Sequence, residues 1–162
     1  MEIRSAIHED ADRVSEIFNH FIRSGTETFN SVEKSPTDIC DLIDEKTAHG
    51  HGAFVAVDGG GILGFAYYGQ FRGGVGYART MEHTIYVVPE AKGRGIGRAL
   101  MQHVEDHARI AGGHSIYAGV SAENVAGIAF HERMGYNQIW TLPEAGYKFG
   151  RYIDLVLMLK FL

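Results

Sequence analysis

The chain has 162 residues, 45% of them hydrophobic and 22% charged, which suits one globular domain with a core that needs no covalent staples. A formal net charge of −5 offers no global attraction to nucleic acid or to an anionic membrane, so neither is expected as a partner. The lone cysteine, Cys40, excludes an intrachain disulfide framework. With no apolar signal core after Met1 and no apolar run long enough to span a bilayer, the expectation is one cytoplasmic domain over residues 1–162.

Ile3 to Ile7 is predicted as a short strand. Asp10 to Ser24 is predicted as a helix, because Ala11, Val14, Ile17, Phe18, Phe21 and Ile22 fall on one stripe, and Gly25 ends it. A second helix runs from Pro36 to Ala48, with Ser35 as cap and Ile39, Leu42 and Ile43 inward. The period then switches to two. Ala53 to Val57 and Ile62 to Phe71 form a hairpin around Asp58-Gly59-Gly60-Gly61, and Glu82 to Val88 is a third strand of this run. A helix from Gly95 to Ala111 follows, with Ile96, Ala99, Leu100, Val104 and Ala108 inward. Ser115 to Val120 is a strand, Val125 to Met134 a helix closed by Gly135, and Tyr136 to Leu142 and Arg151 to Leu159 are the last strands. Antiparallel hairpins thus flank one βαβ crossover, an α+β (mixed α/β) layout.

Glycine is over-used, at 21 residues, and clusters in three loops. One cluster carries chemistry. A strand ends at Pro89, which cannot donate to a sheet ladder, and Lys92-Gly93-Arg94-Gly95-Ile96-Gly97 turns straight into a helix. A helix start offers free N–H groups and a positive dipole end, glycines let the backbone approach an anion, and Lys92, Arg94 and Arg98 add charge. That describes a pyrophosphate cradle. Leu100 stands where a dinucleotide fingerprint wants glycine, and no Gly-Lys-Ser/Thr of a P-loop is present.

The stretch Val87-Val88-Pro89-Glu90-Ala91-Lys92-Gly93-Arg94-Gly95-Ile96-Gly97 resembles the acetyl-CoA motif of the GNAT N-acetyltransferase superfamily, Arg/Gln-x-x-Gly-x-Gly/Ala, with Lys92 at the usual Arg/Gln position. Asn124 through Tyr136 resembles the second signature of that superfamily. More narrowly, Glu82-His83-Thr84-Ile85-Tyr86-Val87, Phe130-His131-Glu132-Arg133-Met134-Gly135-Tyr136 and the run Gly146 to Val156 are similar to the phosphinothricin and methionine sulfoximine acetyltransferases. The resemblance implies a mostly antiparallel sheet of about seven strands with about four helices, splayed between the fourth and fifth strands. It implies acetyl-CoA as co-substrate and no metal. The implied activity is direct transfer of the acetyl group, in a ternary complex, to the α-amine of a small amino acid or analogue. It also implies a homodimer, with Tyr147-Lys148-Phe149 at the interface.

Carried onto this chain, the resemblance implies that the backbone of Ile85, Tyr86 and Val87 pairs with the pantetheine arm. Lys92, Gly93, Arg94, Gly95, Ile96, Gly97 and Arg98 would hold the pyrophosphate. Glu82 is the implied base, and a glutamate needs burial or a water chain to serve as one. His131 is implied to protonate the departing thiolate, a role imidazole can fill near neutral pH; a plain cofactor contact is the other reading. Asn124 would bond the pantetheine amides, cap its helix, or do both. Arg72 can grip a carboxylate bidentately, with the backbone of Gly73 and Gly74 beside it, or it is a solvated arginine. Phe29 lines the acceptor pocket or belongs to the core.

His103 and His107 have the i, i+4 spacing of metal ligands but no third ligand, so no metal is expected. Cys40 is expected as a buried structural thiol. The competing functions on the same fold are a protein or peptide N-terminal acetyltransferase and a non-catalytic acetyl-CoA-binding module.

Overall fold

The computed structural model describes residues 1–162. One seven-stranded sheet runs through the molecule in the order β1-β2-β3-β4-β5-β7-β6. Its strands are β1 (Glu2–Ser5), β2 (Ala53–Asp58), β3 (Gly61–Gln70), β4 (Thr80–Val87), β5 (Ser115–Ser121), β6 (Asn137–Lys148) and β7 (Arg151–Phe161). The helices are α1 (Ala11–Ser24), α2 (Pro36–Ala48), α3 (Ile96–Ile110) and α4 (Val125–Arg133). All neighbours are antiparallel except β4 and β5, which α3 joins as a parallel pair.

Local chemistry places the helices. Ser35 and Asp38 cap α2 reciprocally: the Asp38 N–H donates to Ser35 Oγ at 3.1 Å and the Ser35 N–H to Asp38 Oδ2 at 2.7 Å. Gly59 and Gly60, at φ 60° and 82°, supply the two left-handed residues that turn β2 into β3. The stripe on α1 buries Val14, Ile17, Phe18, Phe21 and Ile22, and the rings of Phe18 and Phe21 lie 4.8 and 5.0 Å from that of Tyr86 on β4. This packing puts α1 over one face of the sheet. On the opposite face α3 crosses β3 closely enough that a Cβ on Gly64 would meet Leu100 at 2.8 Å. The inward side of α3 takes Met101 and Glu105 with Ile96, Leu100, Val104 and Ala108, while Ala99 is only half-buried.

The last hairpin departs most from the expected boundaries. β6 continues to Lys148, six residues past Leu142, because it is an edge strand and its register shifts twice against β7. An edge tolerates Pro143, which cannot donate to a ladder. Glu144 takes up the second shift with a positive φ of 54°, its N–H donating to Asp154 Oδ1 at 2.8 Å. Gly25 ends α1 as expected, in extended backbone with φ −134° and its N–H donating to the Phe21 carbonyl.

Candidate active site

β4 and β5 pair only from Thr80–His83 to Ser115–Ala118, although the strands run on to Val87 and Ser121. Beyond that pairing they part, and a cleft of about 670 Å³ opens between them. Backbone groups on the β5-facing edge of Thr84–Val87 therefore have no strand partner, a ready edge for an extended amide-bearing ligand. Ile85, Tyr86 and Val87 all line the cleft.

At one end of the cleft sits the glycine turn. Gly93 and Gly95 have φ of 80° and 81°, and an added Cβ at either would meet nothing within 4 Å, so both backbones face open space. Gly95 precedes α3 without any side-chain cap, which leaves the first-turn N–H groups of a 15-residue helix free. Gly97 serves packing instead: its Cβ would stand 3.4 Å from the Phe130 ring of α4. Lys92, Gly93, Gly95, Ile96, Gly97 and Arg98 line this end, joined by Arg133. Arg94 does not; its guanidinium pairs with Asp58 at 2.5 Å, on the β2–β3 turn.

Midway along the cleft, strand alternation separates two adjacent residues. Glu82 sits opposite Gly69 on the α1 face, and His83 opposite Tyr68 on the α3 face. Glu82 lines the cleft, and burial pushes its carboxyl above the ordinary glutamate value. Gly119 on β5 makes room for it: a Cβ there would lie 3.3 Å from Glu82 Oε1. On the other face His131 of α4 stacks on His83 with ring centroids 5.1 Å apart. His131 Nδ1 lies 2.7 Å from the Gly127 carbonyl, so Nδ1 carries the hydrogen and donates it. That leaves the Nε2 lone pair buried with no protein partner. Burial also holds the His131 pKa below its usual value, so the ring is neutral near pH 7 and its free nitrogen accepts rather than donates. His83 is driven further down by burial and by His131, and neither of its nitrogens has a partner. Asn124 caps α4, its Oδ1 accepting from the Gly127 N–H at 2.9 Å, and also lines the cleft.

The other end is made by the loop after α1. Thr26, Glu27, Thr28 and Phe29 line the same cleft as Glu82. Of these only Phe29 was legible beforehand, and the rest carry no motif. Gly119 did leave a signal, as an isolated glycine in a strand pattern marks a close approach. Arg72, Gly73 and Gly74 lie outside the cleft lining. The Arg72 guanidinium sits 5.5 Å from the Tyr77 ring centre, and Gln70 Nε2 pins the turn by donating to the carbonyls of Arg72 and Gly74 at 2.6 and 2.7 Å.

His107 pairs with the Tyr68 hydroxyl at 2.8 Å, and both His103 and His107 stand edge-on to the Phe54 ring, an aromatic packing role. Cys40 is half-buried against the core rather than fully buried.

A glycine cradle at a helix start opens on a cleft between two parted strands whose wall carries a raised carboxyl, an arrangement suited to an extended anionic ligand and to proton transfer. The model of the acetyltransferase (GNAT) family matches residues 14–136, and the chain belongs to that family. It is an N-acetyltransferase. The L-amino acid N-acyltransferase MnaT of Escherichia coli (strain K12) is 32% identical over 98% of this chain and 92% of its own length. The L-methionine sulfoximine/L-methionine sulfone acetyltransferase of Salmonella typhimurium matches with the same identity and coverage. Among solved structures, a ribosomal-protein-alanine N-acetyltransferase from Brucella melitensis superposes with a TM-score of 0.97 at 32% identity, covering all of both chains. A phosphinothricin acetyltransferase from Sinorhizobium meliloti in complex with AcCoA superposes with a TM-score of 0.94 at 28% identity, covering 99% of this chain and 88% of the other.

Proposed function

We propose that this chain moves the acetyl group of acetyl-CoA directly to the α-amine of a small amino acid or analogue, of the methionine sulfoximine, methionine sulfone or phosphinothricin type, in a ternary complex. The observation that carries this reading is the parting of β4 and β5, with Glu82 reaching the gap from one face of the sheet and His131 from the other. The names of the two curated relatives support the acceptor class.

The residues present fit acetyl-CoA. Gly93 and Gly95 leave open backbone for the pyrophosphate, with Lys92 and Arg98 beside it, and Arg94 joins them on release from Asp58. Ile85, Tyr86 and Val87 offer a free strand edge, and Asn124 borders it. Bound there, acetyl-CoA supplies an acyl group activated as a thioester. Glu82 takes one proton from the acceptor ammonium, which its raised pKa favours, and so frees the nitrogen lone pair to form the C–N bond as the C–S bond breaks. His131 then accepts the second nitrogen proton at Nε2 and hands it to the departing sulfur. A neutral ring with Nδ1 tied to Gly127 must gain a proton before it can give one.

Phe29 and Glu82 border the acceptor. Arg72 lies outside the cleft lining, and with the backbone of Gly73 and Gly74 it grips the acceptor carboxylate once its guanidinium leaves the Tyr77 ring and turns inward. The chain works as a homodimer. Trp140, Tyr147, Phe149 and Tyr152 of the β6–β7 hairpin are all more than half exposed, and a partner would cover them. Its one free thiol suits the reducing cytoplasm.

The test is thiol release from acetyl-CoA with methionine sulfoximine, methionine sulfone, phosphinothricin, the ordinary amino acids and a peptide with N-terminal alanine. Turnover with the small acceptors and not the peptide supports the proposal. The reverse would make this a protein N-terminal acetyltransferase, the second reading, which the Brucella melitensis superposition favours. Arg72→Ala should raise the KM for methionine sulfone by about tenfold, the scale of one charge-assisted contact; an unchanged KM removes Arg72 from the site.

A further inference from the structure

Lys148 is buried, at 3% exposure, on the last hairpin, and the chemistry above has no use for it. Its Nζ donates to three backbone carbonyls: Gly25 at 2.6 Å, Thr28 at 2.8 Å and Phe21 at 3.3 Å. An ammonium has three hydrogens, and here each has an acceptor. No carboxylate lies within ion-pair distance, so the whole bonding capacity of this buried cation goes to main chain. Burial draws its pKa down and the charge of Glu27 pulls it back up. The Phe21 carbonyl belongs to the last turn of α1, where a cation also meets the negative end of the helix dipole.

The segment it holds needs holding. Thr26–Lys34 makes no backbone–backbone hydrogen bond at all. Its far end is tied by Asn19, whose side chain bonds both the N–H and the carbonyl of Lys34 at 2.7 and 2.9 Å. Its near end, Thr26 to Phe29, is a wall of the cleft that Glu82 also lines, and there Lys148 supplies the bonds that a sheet ladder would otherwise give. Two residues before Lys148, Gly146 accepts the Phe29 ring on its bare backbone: a Cβ at Gly146 would stand 2.3 Å from that ring. Lys148 and Gly146, on alternate positions of β6, therefore share the face that meets the loop, while Tyr147 between them is exposed.

We propose that Lys148 is a positioning residue for the acceptor: it clamps the Gly25–Phe29 loop from β6, with Phe29 seated on Gly146, and so sets the acceptor pocket without touching acetyl-CoA. The kinetic arm of the test rests on the acetyl transfer proposed above; the exchange arm does not.

The full chain is compared with K148M and K148R, using acetyl-CoA and methionine sulfone. For K148M the expected result is a KM for methionine sulfone raised by about tenfold or more, the scale of losing one charge-assisted hydrogen bond. The KM for acetyl-CoA stays within about twofold, and K148R, which keeps a buried donor, recovers part of the loss. Hydrogen exchange at the Gly25 and Asn30 amides, which donate to the Phe21 carbonyl and to Thr28 Oγ1, should quicken in K148M while β4 is unaltered. An unchanged KM for methionine sulfone overturns the proposal. So does a parallel rise in both constants with faster exchange across the sheet, which marks a general folding defect. Should K148M not fold, Gly146→Ala displaces Phe29 with the lysine intact. It should shift the methionine sulfone KM alone, and a KM equal to that of the unaltered chain overturns the proposal. If the unaltered chain acetylates no small amine, the transfer reading fails, and faster loop exchange in K148M still supports the clamp while unchanged exchange sinks it.

Discussion

The two ends of the cleft are built in opposite ways. The glycine turn is contiguous: Lys92 to Arg98 presents backbone N–H groups at the start of one helix, and its shape follows from two left-handed glycines. The end we assign to the acceptor is assembled from parts far apart in the chain: the loop at Thr26–Phe29, Glu82 on β4 and Gly119 on β5, with Lys148 of β6 behind the loop. A backbone site of the first kind accepts one constant ligand whatever side chains surround it. A site of the second kind changes whenever any of its separate elements changes, which suits the part of an enzyme that selects a substrate. Variants at the two ends should therefore split the two Michaelis constants.

The largest effect should come from Glu82→Gln. Removing a positioned base should cut kcat by about 10²–10⁴ with the KM for acetyl-CoA little changed. Because the Glu82 carboxyl is raised, the acid limb of kcat/KM should lie above the ordinary glutamate range, with activity lost as pH falls through it, and the variant should lack that limb. His131 titrates below its usual value, so it should add no limb between pH 7 and 8. A pH profile identical in the two proteins would break the assignment of Glu82.

Next in size is Gly95→Ala, which forces a side chain into φ 81°. It should cost about 1–2 kcal/mol of stability and raise the KM for acetyl-CoA, not for the acceptor. Thermal unfolding and initial rates read the two effects separately. An acceptor KM that rose equally would erase the contrast between the two ends.

Gly119→Ala should be milder. A new methyl 3.3 Å from Glu82 Oε1 asks the carboxylate to shift by a few tenths of an ångström, so kcat should fall several-fold with stability nearly unchanged. Smallest of all should be Arg94→Ala. Its ion pair with Asp58 is half exposed, so unfolding should shift by less than about 1 kcal/mol. A modest rise in the acetyl-CoA KM would show that Arg94 leaves Asp58 for the phosphates.

Much of the frame was legible in the residues. The stripe on α1, the Ser35 cap and the Gly59–Gly60 turn are local patterns with local causes, and the observed elements follow them to within a residue or two. Where the frame was misjudged, a local signal met a tertiary context. Pro143 and Glu144 look like a turn, but an edge strand absorbs them as an irregularity. Lys148 is buried because three carbonyls, from the end of α1 and the loop after it, converge on it, and no local pattern announces that.

By itself the sequence determined the element order, the α+β class and an anion cradle at a helix start, because each is written in neighbouring residues whose spacing encodes periodicity or backbone freedom; the GNAT family was legible as a resemblance of its motifs. Only the tertiary structure decided what the acceptor end is made of. It left the His131 Nε2 lone pair without a partner, kept Arg72 off the cleft and bound the Gly25–Phe29 loop to Lys148. Those outcomes depend on burial and on contacts between segments more than a hundred residues apart, as from Gly25 to Lys148, and no local pattern carries that information.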